Sequence, residues 1–133
     1  NDGMGDYVAS EIVKCMIRKN IPVNKSKVLI LGMTFKENCP DVRNTKVVDL
    51  VKALQDYGAN ITIHDPWADE DEVMNEYGLE SLKALPSEKY DAVVLTVAHN
   101  KFNKLDFLSL KNENAIIYDV KNFLPTEVVD GTL

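Results

Sequence analysis

The stretch VLILGMTFKENCPDVRNT, residues 28–45, decides how the rest of the chain is read. Its first four residues are an unbroken apolar run, the kind of strand that a parallel sheet buries on both faces. A loop follows. Then Val47, Leu50, Val51 and Leu54 recur at helical spacing. Strand, loop and helix are the opening unit of a doubly wound α/β fold, where a glycine-rich phosphate cradle often fills the loop. This loop has one glycine, Gly32, and it holds Lys36, Glu37, Asp41 and Arg43 besides. Charges stand where glycines would be expected.

The elements on either side agree with that opening. Val8, Ile12, Cys15, Met16 and Lys19 fall at helical spacing, with Val13 and Ile17 on a second apolar face. They predict a helix over residues 6–19, ended by Asn20-Ile21-Pro22. An apolar surface that broad either packs on the domain or pairs with another chain. Downstream, Asn44 or Thr45 is placed to cap the helix after the loop, and Gly58 to end it. A second strand is expected over residues 60–64, closed by Asp65-Pro66, and a short helix over 70–77, ended by Gly78. Further strands are expected over 92–97 and 115–119, with a helical turn or two within 102–110. Past Leu124 a loose tail is expected. This alternation predicts a Rossmann-like three-layer α/β sandwich: a mostly parallel sheet, helices on both faces, one helix in front, and right-handed crossovers.

Composition narrows the function. The chain has 133 residues and a net charge of −6, with a pI near 4.9. Nucleic-acid binding is disfavoured, since a phosphate backbone calls for a basic stripe. One bound nucleotide needs only a few local cations. The acid is concentrated in DPWADEDE, residues 65–72. It reads as a solvated loop and helix start, with a divalent-metal site as the lesser reading. The two cysteines, Cys15 and Cys39, have no metal-ligand spacing and make no disulfide framework. They point to a reducing, cytoplasmic compartment. No apolar run approaches the ~20 residues of a membrane span. The opening NDGMGDYVASEIVKCMI reads as an element entered partway, as in a piece of a longer protein.

In open α/β sheets ligands sit beyond the C-terminal ends of the strands. The sequence gathers Thr34, Phe35, Lys36, Arg43, His64, Asp65, His99, Asn100, Asp119, Lys121 and Asn122 there. A polar cleft of mixed charge suits an anionic ligand that carries a base and hydroxyls. Lys36 is either a point charge for a phosphate or a surface lysine paired with Glu37 or Asp41. Arg43 precedes a helix N-terminus, which favours anions, or bridges to Asp41. Asp65 ends the second strand, where a ribose-binding acid would lie, but well past the usual spacing of about 20 residues. Cys39 is followed by Pro40 and Asp41, a setting that does not favour a thiolate nucleophile. His64 and His99 read as hydrogen-bonding residues rather than catalysts.

LGMTFKENCPDVRNT, the helix after it, and then YGANITIHDPWA together resemble the C-terminal domain of the UDP-glucose/GDP-mannose dehydrogenase family. The signature there is LGxxFKxNxxDxRxS/T, a helix, then GAxVxxxDPxA. This chain supplies Leu31, Gly32, Phe35, Lys36, Asn38, Asp41, Arg43 and Thr45, then Gly58, Ala59, Asp65, Pro66 and Ala68. AHNKF, residues 98–102, also fits a family pattern. The wording of GMTFKENCPDVRNTKVVDL is most similar to members acting on UDP-N-acetylhexosamines.

The resemblance implies a great deal. Full-length members oxidise the C6 alcohol of a nucleotide sugar to a carboxylate for polysaccharide precursors, with two NAD molecules in succession. An N-terminal domain binds NAD, and a cysteine upstream of a central helix carries the covalent intermediates. Residues 1–20 would be the end of the central helix that forms the family's homodimer. Residues 21–133 would be the UDP-binding domain. Phe35, Lys36 and Lys121 would contact the UDP-sugar, and Arg43 would reach toward the NAD held by the other domain. No catalytic residue and no metal ligand falls in this stretch, so no dehydrogenase activity is expected of it alone. Many members have arginine where Asp119-Val120-Lys121 has lysine; lysine keeps the charge and loses the bidentate fork. The rival reading is a non-catalytic α/β interaction module that docks a partner through its N-terminal helix.

Overall fold

The computed structural model describes residues 3–133. Six strands form one sheet in the order β3-β2-β1-β4-β5-β6, and every pairing is parallel. The strands are β1 (Lys27–Leu31), β2 (Asn60–His64), β3 (Ser81–Leu82), β4 (Tyr90–Leu95), β5 (Lys111–Asp119) and β6 (Gly131–Thr132). The sheet was expected to be mostly parallel and is wholly so. β1 sits at its centre, and its last four residues are buried on both faces.

Two cores flank the sheet, one on each face. Val28 and Ile30 of β1 point into one with Ala92 and Val94 of β4. Leu29 and Leu31 point into the other with Val93 and Leu95. Helices α1 (Met4–Arg18), α2 (Val47–Asp56) and α3 (Glu70–Tyr77) cover the first face. A 3-10 turn (Asn100–Lys104), the one-turn helix α4 (Phe107–Leu110) and the side chain of Leu124 cover the second.

The broad apolar surface of α1 packs on the domain. Val8, Ala9, Ile12, Val13 and Met16 are buried, while Ile17 on the expected second face stays exposed. The close crossing of α1 and α2 depends on Gly5, where a Cβ would stand 2.7 Å from Asp49 Cβ. At the far end of α1, Lys19 donates to the Ala115 carbonyl at 3.3 Å and pairs with Asp130 at 2.9 Å.

Three expectations fail. The strand expected over 92–97 runs over Tyr90–Leu95. The chain past Leu124 is not a loose tail: Gly131 and Thr132 pair in register with Tyr118 and Asp119 as the sheet edge. β5 also starts at Lys111 rather than Ala115, because the polar run Asn112-Glu113-Asn114 still lies within the strand. The helix-start signal is sound in part. Thr45 Oγ1 accepts the Val47 N–H at 3.2 Å, while Asn44 adopts a left-handed φ of 59°.

Candidate functional site

From β1 the chain winds one way, through β2 to β3. It then returns and winds the other way, through β4 to β5 and β6. The switch point lies between β1 and β4, and the crevice beyond it is where such sheets bind ligands. The loops after β1 and β4 line this crevice, and the charged loop of residues 32–46 is the larger.

Past Gly32 that loop has no glycine, and side chains clamp it instead. Met33 and Val42 are fully buried and anchor it at two points. Phe35 N–H donates to the Asp41 carbonyl at 2.7 Å, and Thr34 Oγ1 donates to the Lys36 carbonyl at 2.9 Å. Tyr77 O–H donates to the Val42 carbonyl, tying the loop to the end of α3. Gly32 serves the sheet rather than a ligand. Its φ is 112°, and an added Cβ would stand 2.5 Å from Val97 Cβ. The glycine lets the end of β1 pass the end of β4 at close range.

Asp65 is the hub of the clamp. Its Oδ2 accepts N–H groups from Met33 at 2.6 Å and Thr34 at 3.1 Å. Its Oδ1 accepts those of Trp67 at 2.7 Å and Ala68 at 3.2 Å. His99 Nε2 lies 3.0 Å from Oδ2, with both side chains fully buried. Burial pushes the Asp65 carboxyl upward, but the hydrogen bonds from His99, Met33 and Trp67 outweigh it and hold the group below its ordinary value. No oxygen of Asp65 is left for a ribose. Together with the filled space at Gly32, this leaves no dinucleotide cradle on the loop. His99 and His64, both gathered into the cleft by the sequence, point inward: the His64 ring bonds the Leu82 carbonyl at 2.9 Å.

Of the loop's exposed side chains, Phe35, Lys36 and Arg43 are the ones the sequence singles out. Phe35 is 53% exposed, a large apolar ring standing in solvent beyond the sheet. Lys36 is exposed and makes no ion pair with Glu37 or Asp41. Arg43 does pair with Asp41, through Nε to Oδ1 at 3.1 Å and the second guanidinium nitrogen to Oδ2 at 3.3 Å. Hydrogen bonds from the Arg43 guanidinium, above all, lower the Asp41 carboxyl from its ordinary value.

Lys121 belongs to a separate part of the same edge. Asp119 staples its loop, accepting from Lys121 N–H at 3.0 Å and from Phe123 and Leu124 N–H, each at 2.6 Å. The Lys121 side chain borders a cavity of about 210 Å³ at the start of α2, with Lys46, Val47, Leu50 and Thr96. Among the described residues that border it, neither Phe35, Lys36 nor Arg43 appears. The predicted residues thus share the C-terminal edge of the sheet but fall into two groups. Sequence reasoning missed Lys46, because one lysine before a helix carries no signal. It also missed the left-handed turn at Asn38, although a φ of 56° at a non-glycine is characteristic of asparagine.

The acidic run is absorbed locally. Asp69 caps α3 by accepting from Asp71 and Glu72 N–H, and Glu70 accepts from Lys83 N–H at 2.7 Å. No group of three or more His, Cys, Asp or Glu among the described residues is arranged to hold a metal ion. No helix of the described residues is long and apolar enough to cross a membrane.

Comparison with known proteins agrees with this architecture. Residues 29–126 match the model of the UDP-glucose/GDP-mannose dehydrogenase family, UDP binding domain. The chain is 44% identical over 136 residues to a UDP-N-acetyl-D-glucosamine 6-dehydrogenase of Salmonella typhi, a match covering 100% of this chain and 32% of that protein. It is 41% identical over 133 residues to the enzyme of the same name from Pseudomonas aeruginosa, covering 98% of this chain and 32% of that one. Among solved structures, an NDP-N-acetyl-D-galactosaminuronic acid dehydrogenase from Methanosarcina mazei Go1 superposes with a TM-score of 0.80 at 25% identity, covering 96% of this chain and 27% of that one. The chain therefore spans about a third of the length of its curated relatives. With the motif, the sheet and the family match in agreement, the chain belongs to the UDP-glucose/GDP-mannose dehydrogenase family, as its UDP binding domain.

Proposed function

We propose that this chain grips the nucleotide part of a UDP-sugar within an NAD-dependent UDP-sugar 6-dehydrogenase, with a UDP-N-acetylhexosamine as the substrate class. One observation carries the reading: Phe35 and the unpaired Lys36 stand in solvent, adjacent in the chain, on a loop whose backbone is pinned at Met33, Thr34, Phe35 and Asn38. An unpaired ammonium held on a rigid loop is a point charge for a diphosphate. The neighbouring ring offers an apolar face to a base or sugar. Lys121, on the loop stapled by Asp119, is a second cation at the same edge. Its single point charge meets the ligand less specifically than an arginine fork would.

The domain's task is positioning. Its grip on UDP holds the sugar C6 near a reactive cysteine that other parts of the enzyme supply, and the domain has no catalytic group of its own. The residues here do not fit a complete NAD site, since the loop has no glycine cradle and Asp65 is fully engaged. Arg43 is one outlying cation, pre-oriented by Asp41, facing a cofactor held mainly by another domain. In this reading the whole enzyme works in the cytoplasm as a homodimer, and residues 1–20 end its dimerisation helix. The rival module that docks a partner through that helix is weaker, because α1 spends its main apolar face on this domain's own core.

Calorimetric titration of the chain with UDP tests the reading. Weak binding is expected. Lys36→Ala should reduce it beyond detection, and Lys121→Ala should weaken it by roughly tenfold, the order of one charge-assisted bond. Binding that is indifferent to Lys36→Ala would remove Lys36 from the site.

A further inference from the structure

Residues 33–38 carry Phe35 and Lys36, and their links to neighbouring loops run to only a few groups. Met33 and Thr34 N–H donate to Asp65 after β2. Asn38 N–H donates to His99 Nδ1 at 2.8 Å, and Asn38 Oδ1 accepts the Asn100 N–H at 2.9 Å, both in the loop after β4. Lys36 therefore lies between two clamps, Asp65 on the strand side and His99 with Asn100 on the far side.

We propose that His99 is a positioning residue for the Phe35–Lys36 pair: its Nδ1 lone pair fixes the left-handed turn at Asn38 and, through that turn, the place where the Lys36 ammonium stands. The proposal rests on the nucleotide-sugar reading for what Lys36 meets.

Three features carry it. Asn38 has a φ of 56°, a left-handed turn that asparagine tolerates better than other L-residues but still prefers less than the right-handed region, so a contact that holds its amide fixes which conformation the turn takes. The ring that holds it is fully buried, and Phe102 packs edge-on against it with centroids 5.3 Å apart. And only one tautomer satisfies the ring. Because Nδ1 accepts a backbone N–H, the ring proton sits on Nε2, which faces Asp65 Oδ2 at 3.0 Å and Thr34 Oγ1 at 3.2 Å. The two nitrogens thus do separate work. Nε2 joins the clamp at Thr34, which Asp65 holds independently through backbone amides. Nδ1 alone holds the amide of Asn38.

Two substitutions separate these roles. His99→Asn places an amide oxygen near the position of Nδ1 and keeps an acceptor for Asn38. His99→Gln places an amide near Nε2 and leaves the Asn38 N–H without a partner. With UDP as the probe and binding read by calorimetry, His99→Asn should stay within about threefold of the parent chain. His99→Gln should lose tenfold or more, and the Asn38 amide should exchange with solvent at least tenfold faster. A merely structural histidine predicts instead that affinity follows the unfolding midpoint and that neither isostere rescues it. Equal affinity of His99→Gln and the parent chain overturns the proposal, as does unchanged exchange at Asn38. If the variants fail to fold, the histidine ring nitrogens of the parent chain decide by NMR. A lone pair on Nδ1 coupled to the Asn38 amide supports the proposal, and a protonated Nδ1 overturns it. If the parent chain does not bind UDP, the nucleotide reading falls; Asn38 exchange in His99→Gln then tests the clamp alone.

Discussion

Gly32 shows how one residue can mislead and inform at once. Its position after β1 suggests a phosphate cradle, but its missing side chain makes room for β4. A Cβ there would stand 2.5 Å from Val97 Cβ and 2.7 Å from the Val97 backbone nitrogen. The backbone contact cannot be relieved by repacking a side chain, and a φ of 112° adds strain to any L-residue. Gly32→Ala should therefore cost about 3 kcal/mol, strain and overpacking together. Urea denaturation measures it. Adding Val97→Ala removes only the γ-methyls and should recover only part of the loss, since the Val97 Cβ and nitrogen both remain. Full recovery would mean that the clash lies with the Val97 γ-methyls alone. Lys36 and Arg43, even choices from the sequence, are separated by the structure: Arg43 bridges to Asp41 and Lys36 is unpaired. Nothing in the one-dimensional spacing could have told them apart, because Asp41 lies close in sequence to both.

At the scale of elements, strong periodicity was legible and pairing at the edges was not. β2 and α3 have the bounds their patterns predict, and β1 and α2 fall where the apolar run and the helical spacing put them, since buried strands and amphipathic helices write long patterns. β3 and β6 have two residues each, too few to show alternation, and they exist because a neighbouring strand offers its edge. The same is true of Asp65 and His99. Both were placed correctly at strand ends, but whether a polar side chain turns toward solvent or toward a loop amide depends on the loop's path. For α1 the sequence leaves two readings open, packing on the domain or pairing with another chain, and its apolar residues close the core. Burial of Val8, Ile12, Val13 and Met16 stabilises the fold by about 1.5–3 kcal/mol each, a sum comparable to the whole stability of a domain of this size. Deleting residues 1–20 should thus leave no cooperative unfolding transition, by circular dichroism against urea. A truncated chain that still unfolds sharply would show that α1 contributes little. This outcome is compatible with a role for the exposed side of α1, where Tyr7 and Ile17 lie, in an assembled enzyme.

For the molecule as a whole, two electrostatic effects oppose each other as pH falls, and their sizes decide the result. The net charge of −6 at pH 7 shrinks toward zero near the pI of about 4.9, which relieves self-repulsion and should stabilise the fold slightly. At physiological salt, charges more than about 8 Å apart are largely screened, so this gain is small. His64 acts the other way. Burial, its largest influence, lowers the ring below its ordinary 6.5, against the pull of the Leu82 carbonyl and Asp65. The unfolded chain then takes up a proton that the folded chain refuses. Stability is fully present above pH 6.5 and is lost as pH falls from there through the folded value. One such group changes stability by at most about 1.4 kcal/mol per pH unit. Asp65, held below its ordinary 3.8, adds a loss of the same sign at lower pH. The linkage through His64 should win, because it acts on a buried ring that salt does not screen. The urea midpoint should fall steadily from pH 6.5 to pH 5, and His64→Gln, which cannot take up a proton, should flatten that slope while lowering the plateau above it. A midpoint that rises over this range in the parent chain would mean that relief of surface repulsion outweighs the buried histidine.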